Sequence, residues 1–147
     1  MERACVFIDL REKLGQPEVA ELLEMAVFPD PGRLAEAIRE YETDGRLDLM
    51  GYVDEDRLVG IVGYEVNEDN VLTIKHLAVA PEERGKGFGR LTVLELIAWE
   101  APDILLAETD EEAIEFYRNI GFVIESLGEA GAGAERFRCT YTVNLDE

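Results

Sequence analysis

The sequence predicts an α/β fold of the α+β kind: a mixed, mostly antiparallel central sheet of about seven strands flanked by four helices. Three observations predict it. Between Leu47 and Val79, apolar runs follow one another with short polar turns between them, the pattern of an antiparallel meander. Stretches with helical spacing of apolar residues both precede and follow that meander. Each of the two later helices stands between strand-like runs, so the strands it joins should run parallel through right-handed crossovers.

The elements follow in order. Cys5 to Leu10 (CVFIDL) reads as a first strand. Pro17 opens a helix with Val19, Leu22, Leu23 and Ala26 on one face, ending near Phe28-Pro29. Asp30-Pro31-Gly32 starts a second helix carrying Leu34, Ile38 and Tyr41, stopped by Gly45. The meander consists of Leu47 to Val53, Arg57 to Val66 and Val71 to Val79, with turns at Asp54-Glu55-Asp56 and Asn67 to Asn70. A glycine-rich turn leads into a helix from about Phe88 to Glu100, which stops before Pro102. Ile104 to Glu108 is a strand, Thr109 to Ile120 a helix ended by Gly121, and Phe122 to Leu127 a strand. Gly128 to Gly133 reads as a loop, and Arg136 to Leu145 as the last strand.

With 147 residues and a hydrophobic fraction of 47%, the chain is expected to form one domain, residues 1–147, with a core of its own. No apolar run approaches the roughly 20 residues of a membrane-spanning helix, and the first residues lack a signal-type pattern. A cytoplasmic location is expected. Cys5 and Cys139 form no CxxC pair and read as free or buried thiols. The single histidine, His76, excludes a His-rich metal site, and no metal is expected. The single serine, Ser126, falls in a strand, which argues against a Ser-His-Asp hydrolase. A net charge of −19 repels nucleic acid and anionic membranes at long range. It favours cationic partners such as amines or basic peptides, or serves solubility alone.

Against that acidity, Arg84, Lys86 and Arg90 cluster in the turn Arg84-Gly85-Lys86-Gly87-Phe88-Gly89-Arg90. Glycines let the backbone turn tightly and approach a ligand. A helix start leaves N–H groups without intrahelical partners, and its dipole adds partial positive charge. Strand, glycine-rich turn, helix is therefore the pattern of an anion cradle suited to a pyrophosphate. It is not a P-loop, since no Gly-Lys-Ser/Thr follows, and not a dinucleotide fingerprint, since the spacing is Gly-x-Gly-x-Gly.

The stretch Leu77 to Gly89 (LAVAPEERGKGFG) resembles the first signature block of the GNAT superfamily of N-acetyltransferases, whose turn reads Arg/Gln-x-x-Gly-x-Gly/Ala. Arg84, Gly87 and Gly89 match it. Ala113 to Phe122 (AIEFYRNIGF) resembles the family's second block, Ala-x-x-Phe-Tyr-x-x-x-Gly-Phe. Two blocks in the right order are far more specific than either alone, and the element order is similar over nearly the whole chain.

The resemblance implies an enzyme that transfers an acetyl group from acetyl-CoA, as co-substrate, to a primary amine by direct ternary-complex transfer. Acetyl-CoA would lie between two splayed parallel strands, those ending at Val79 and Glu108. Leu77, Ala78 and Val79 would meet the pantetheine arm. The backbone of Arg84, Gly85, Lys86, Gly87, Phe88, Gly89 and Arg90 would hold the pyrophosphate. Tyr117 corresponds to the family tyrosine near the thioester sulfur. A phenol can donate a proton to a departing thiolate. Asp110 stands where relatives often carry an asparagine that contacts CoA. This is a departure, because a carboxylate cannot donate the amide hydrogen bond. Thr109 and Glu112 read as a capping box for the helix.

The base is the gap in the pattern. Relatives carry a Glu or His at places matching Thr73 or Lys75, neither of which is a convincing base. His76 is one residue out of phase, so plain strand alternation points it to the opposite sheet face. Glu108 is the better-placed carboxylate, with Glu65 an outside candidate. The acceptor is expected among the first two helices, the loop after Gly128 and the last strand, in a monomer or homodimer. The competing reading is a CoA-binding sensor of the same fold without turnover.

Overall fold

The structure, a computed structural model, describes residues 5–27, 33–130 and 134–143. Among these run seven strands: β1 (Cys5–Asp9), β2 (Leu47–Asp54), β3 (Arg57–Val66), β4 (Val71–Val79), β5 (Ile104–Thr109), β6 (Val123–Ala130) and β7 (Ala134–Thr142). The four α-helices are α1 (Pro17–Val27), α2 (Arg33–Thr43), α3 (Phe88–Glu100) and α4 (Ile114–Ile120). The expected starts and stops at Phe28-Pro29 and Asp30-Pro31-Gly32 lie outside the described residues.

One sheet holds all seven strands in the order β1-β2-β3-β4-β5-β7-β6. β1 to β4 form the antiparallel meander, and β4 pairs with β5 in parallel across α3. The second helix crossover differs in detail from a simple adjacent pair. β7 inserts between β5 and β6 and pairs antiparallel with both, so β5 and β6 run parallel without touching. The β2–β3 hairpin turns on Glu55 and Asp56, both at positive φ (53° and 69°), the left-handed geometry that matches strand twist.

The sheet buries a core on each face. On one, Leu22, Leu23 and Tyr41 of α1 and α2 pack against Leu49, Ile61 and Ala78. On the other, Val93 and Leu96 of α3 and Tyr117 of α4 pack against Val62, Leu72 and Leu105. Cys139 is a free, buried thiol in the second core. No described helix is long and apolar enough to cross a membrane.

Two local expectations are corrected. The helix expected from Thr109 begins only at Ile114, with Ala113 at its N-cap, so no Thr109/Glu112 capping box forms. Thr109 instead ends β5 opposite Phe137, and Asp110 turns the chain by accepting the Glu112 N–H at 3.1 Å. A continuing strand ladder has outcompeted a local cap. Similarly, Gly128 to Ala130 continue β6 rather than forming a loop. Residues 131–133 lie outside the described set.

The other correction concerns phase. Gly63 of β3 pairs with His76, but the next residue, Tyr64, pairs with Ile74. Lys75 is the extra residue of a β-bulge. Leu72 and Ile74 face the α3 core before the bulge, whereas Leu77 joins that core after it and Ala78 joins the α1/α2 core. Without the bulge, even-numbered residues would stay on the α3 face. With it, His76 turns to the α1/α2 face, contrary to plain alternation.

Candidate functional site

β4 and β5 are hydrogen-bonded only from Val71↔Ile104 to Ile74↔Ala107. Beyond that point β4 continues to Val79 and β5 to Thr109 without pairing, so the two strands part. A cavity of about 540 Å³ fills the opening. Its walls come from the C-terminal half of β4, the turn into α3, the end of β5, α4 and the last turn of α1.

Most residues singled out from the sequence meet there. Leu77, Ala78, Val79, Arg84, Gly85, Gly87, Phe88, Gly89, Arg90, Glu108 and Tyr117 all line the cavity. Lys86 and Asp110 are not among its lining residues. Lys86 holds the Glu83 carboxylate at 3.1 Å, and Asp110 is occupied by the Glu112 turn.

The turn is built as a backbone cradle. Gly85 and Gly87 sit at φ +81° and +86°, where other residues are strained, and an added Cβ at either would point into open space. Gly87 is the N-cap of α3, and the first intrahelical bond runs from the Leu91 N–H to the Gly87 carbonyl. The N–H groups of Phe88, Gly89 and Arg90 precede it and have no intrahelical partner. Gly89 has a different task. A Cβ there would lie 2.8 Å from the Phe116 ring, so its small size lets α3 approach α4. Glu83, buried and bridged to Arg57 and Lys86 at 3.0 and 3.1 Å, anchors the turn from behind. Arg84 folds along the cavity wall, donating from Nε to the Val79 carbonyl at 3.2 Å.

Tyr117 is only 6% exposed, with the Phe116 and Phe122 rings 5.0 and 5.1 Å away. Burial, with a smaller contribution from Cys139, pushes its phenol well above the usual range, so it stays protonated. Among the described residues, none hydrogen-bonds its hydroxyl. Glu108 is exposed and lies 3.8 Å from Arg138 of β7. Glu65 is drawn toward Lys75, 3.9 Å away, and does not line the cavity.

His76 is the residue that sequence reasoning misplaced. It lines the cavity, and its Nδ1 lies 2.6 Å from the hydroxyl of Tyr41, which is fully buried. Burial foremost, then the charges of Arg33 and Lys75, lowers its pKa to about 4. Glycine makes this contact possible: a Cβ on Gly63, the partner of His76 in β3, would lie 1.7 Å from the Tyr41 hydroxyl. Lys75, Met25, Ala26, Ile74, Glu83 and Phe116 are further wall residues that the sequence reading did not assign to the cavity. The signal available in the sequence was a glycine in mid-strand, which often marks a bulge or close approach.

The cradle fits a pyrophosphate on its own geometry. It offers backbone N–H groups without intrahelical partners, a helix start, and two arginines in the wall. The model of the Acetyltransferase (GNAT) family matches residues 10–122. A curated relative, an uncharacterized N-acetyltransferase in the lysA 3′ region of Bacillus methanolicus, is 28% identical over 64 residues. That match covers 44% of this chain and about half (53%) of the relative's length.

Among solved structures, a GNAT-family protein from Desulfovibrio desulfuricans superposes with a TM-score of 0.76 at 19% identity, covering 95% of this chain and 99% of that one. The IAA acetyltransferase from Bacillus cereus gives 0.68 at 17% identity, covering 95% and 100%. A dodecameric spermidine N-acetyltransferase from Vibrio cholerae gives 0.71 at 20% identity, covering 94% and 93%. At these identities the superpositions establish the fold alone.

Proposed function

The chain belongs to the acetyltransferase (GNAT) family, and from that premise we propose that it transfers an acetyl group from acetyl-CoA to a primary amine in a direct ternary complex. The observation that carries the reading is the cavity where β4 and β5 part. It brings a backbone anion cradle and a protonated, buried tyrosine to one space. Acetyl-CoA, when bound, supplies an activated thioester. The N–H groups at the start of α3 would hold its pyrophosphate, and the unpaired end of β4 would lie along the pantetheine arm. Tyr117 Oη would hold a proton for the departing sulfur. No described residue matches a strong, unpaired general base. Glu108 is the carboxylate nearest to that role, tempered by Arg138.

The alternative reading, a CoA-binding sensor, shares the cradle and differs only in turnover. Titration calorimetry with acetyl-CoA tests what both share. Gly87→Val forces a β-branched residue to φ +86° at the helix start, and affinity should fall about tenfold or more. Unchanged affinity would remove the cradle from the reading. Release of free CoA thiol over an amine panel then separates enzyme from sensor, since a sensor binds without release.

A further inference from the structure

We propose that the acceptor end of the cavity reads an anionic group, so that the amine acetylated carries a carboxylate. This rests on the acetyl-transfer reading above and names its substrate class.

The net charge of −19 points the other way, toward a cationic acceptor. The local charge does not. Lys75, Arg84 and Arg90 line the cavity against two acids, Glu83 and Glu108. Each acid has its own base outside the wall. Glu83 is bridged by Arg57 and Lys86, and Glu108 faces Arg138. The cavity wall therefore lacks the excess of acid that marks the rest of the chain, and an anion is not repelled there.

The positive groups divide by position. Arg84 and Arg90 belong to the turn, at the pyrophosphate end. Lys75 and His76 lie at the bulge of β4, where His76 meets Tyr41 of α2. Arg33, the first residue of α2, stands outside the cavity wall but acts on the His76 ring electrostatically together with Lys75. Among the described residues, no carboxylate pairs with Arg33. Lys75 has only Glu65, at 3.9 Å, the limit of an ion pair.

His76 adds direction. The Tyr41 hydroxyl is buried, and among the described residues its one hydrogen-bond partner is His76 Nδ1. A buried hydroxyl keeps its proton satisfied by donating it. Tyr41 therefore donates to Nδ1, which fixes the neutral ring as the tautomer with hydrogen on Nε2. Such a ring presents a donor, not a lone pair. An N–H donor beside two cations suits a carboxylate and offers nothing to a second ammonium.

The test uses matched acceptors: α-amino acids, each against its own carboxamide, with spermidine as the cationic comparison. The carboxamide has the less basic amine and more free base at a given pH, so intrinsic reactivity does not favour the acid. We expect kcat/KM for the acid to exceed that for the amide and for spermidine by about tenfold or more. Arg33→Ala and Arg33→Glu should erase that preference through KM, leaving the Kd of CoA within about twofold. Tyr41→Phe, which frees the ring to change tautomer, should erode the preference in part. Equal rates for acid and amide, or preference for spermidine, overturns the proposal. So does a protein that binds acetyl-CoA and turns over none of these acceptors, which leaves the CoA site standing. Failure to bind acetyl-CoA at all instead sinks the acetyl-transfer reading, and this one with it.

Discussion

The two ends of the cavity are built by opposite means. The end proposed to hold the cofactor comes from one continuous stretch, 84–90, plus the helix that carries Tyr117. Its chemistry is backbone N–H groups, glycines at positive φ and one phenol, all specified by local sequence. The end proposed to receive the acceptor is lined by Lys75 and His76 of β4, set in place by residues far apart, Tyr41 of α2 and Gly63 of β3, with Arg33 of α2 acting on the His76 ring. Its chemistry is side chains whose direction depends on a bulge. Binding the common co-substrate needs a generic backbone geometry, whereas choosing an acceptor needs side chains that can be exchanged without disturbing the cradle.

If the ends are separable, substitutions at one should leave the other's constants alone. The largest effect is expected from Tyr117→Phe. Loss of a positioned proton donor typically costs about 10²–10⁴-fold in rate. We expect kcat to fall about a hundredfold or more, with the Kd of acetyl-CoA and the preference among acceptors unchanged. Steady-state thiol release and calorimetry read these separately. A parallel loss in affinity would assign Tyr117 to packing with Phe116 and Phe122 and blur the division between the ends.

Legibility divides along the same line. The turn was readable because glycines ahead of a helical pattern mark a tight turn at a helix start, and each of its residues except Lys86 lines the cavity. The meander was readable because polar turns separate apolar runs, and its strands end within a residue of the expected positions. His76 was misplaced because each side of Lys75 alternates normally over only a few residues, and the pairing with Gly63 and Tyr64 is what locates the extra residue. The capping pattern at Thr109 misled for a related reason. A cap competes with a strand ladder, and the ladder to Phe137 comes from residues far along the chain. In both places a long-range pairing decided what a local pattern could not.

Gly63→Ala is the next largest expected effect and the sharpest probe of the acceptor end. The new Cβ would sit 1.7 Å from the Tyr41 hydroxyl, inside any tolerable contact. Overpacking of this kind costs about 1–3 kcal/mol, or roughly 3 °C or more in Tm for a domain this size. Tyr41 must withdraw, and the His76 ring loses its partner. The KM for the acceptor should therefore rise while CoA affinity holds. A variant with unchanged Tm and unchanged KM would mean that Tyr41 does not rest on Gly63.

The smallest effect concerns protons. In the unfolded chain, His76 takes up a proton near pH 6.5, whereas in the fold it resists until about pH 4. Between those values the unfolded state binds more protons, so this group's contribution to stability is full above about pH 6.5 and declines as the pH falls toward 4. His76→Gln removes the titration and leaves the carboxylates, which titrate alike in both proteins. The difference in Tm between wild type and variant should be constant above about pH 6.5 and should shift against the wild type from there down to pH 4. A flat difference across that window would mean the ring is solvated, with the acceptor end open to water. The declining difference would place the ring in a desolvated pocket, where a neutral N–H donor and nearby cations can distinguish one acceptor from another.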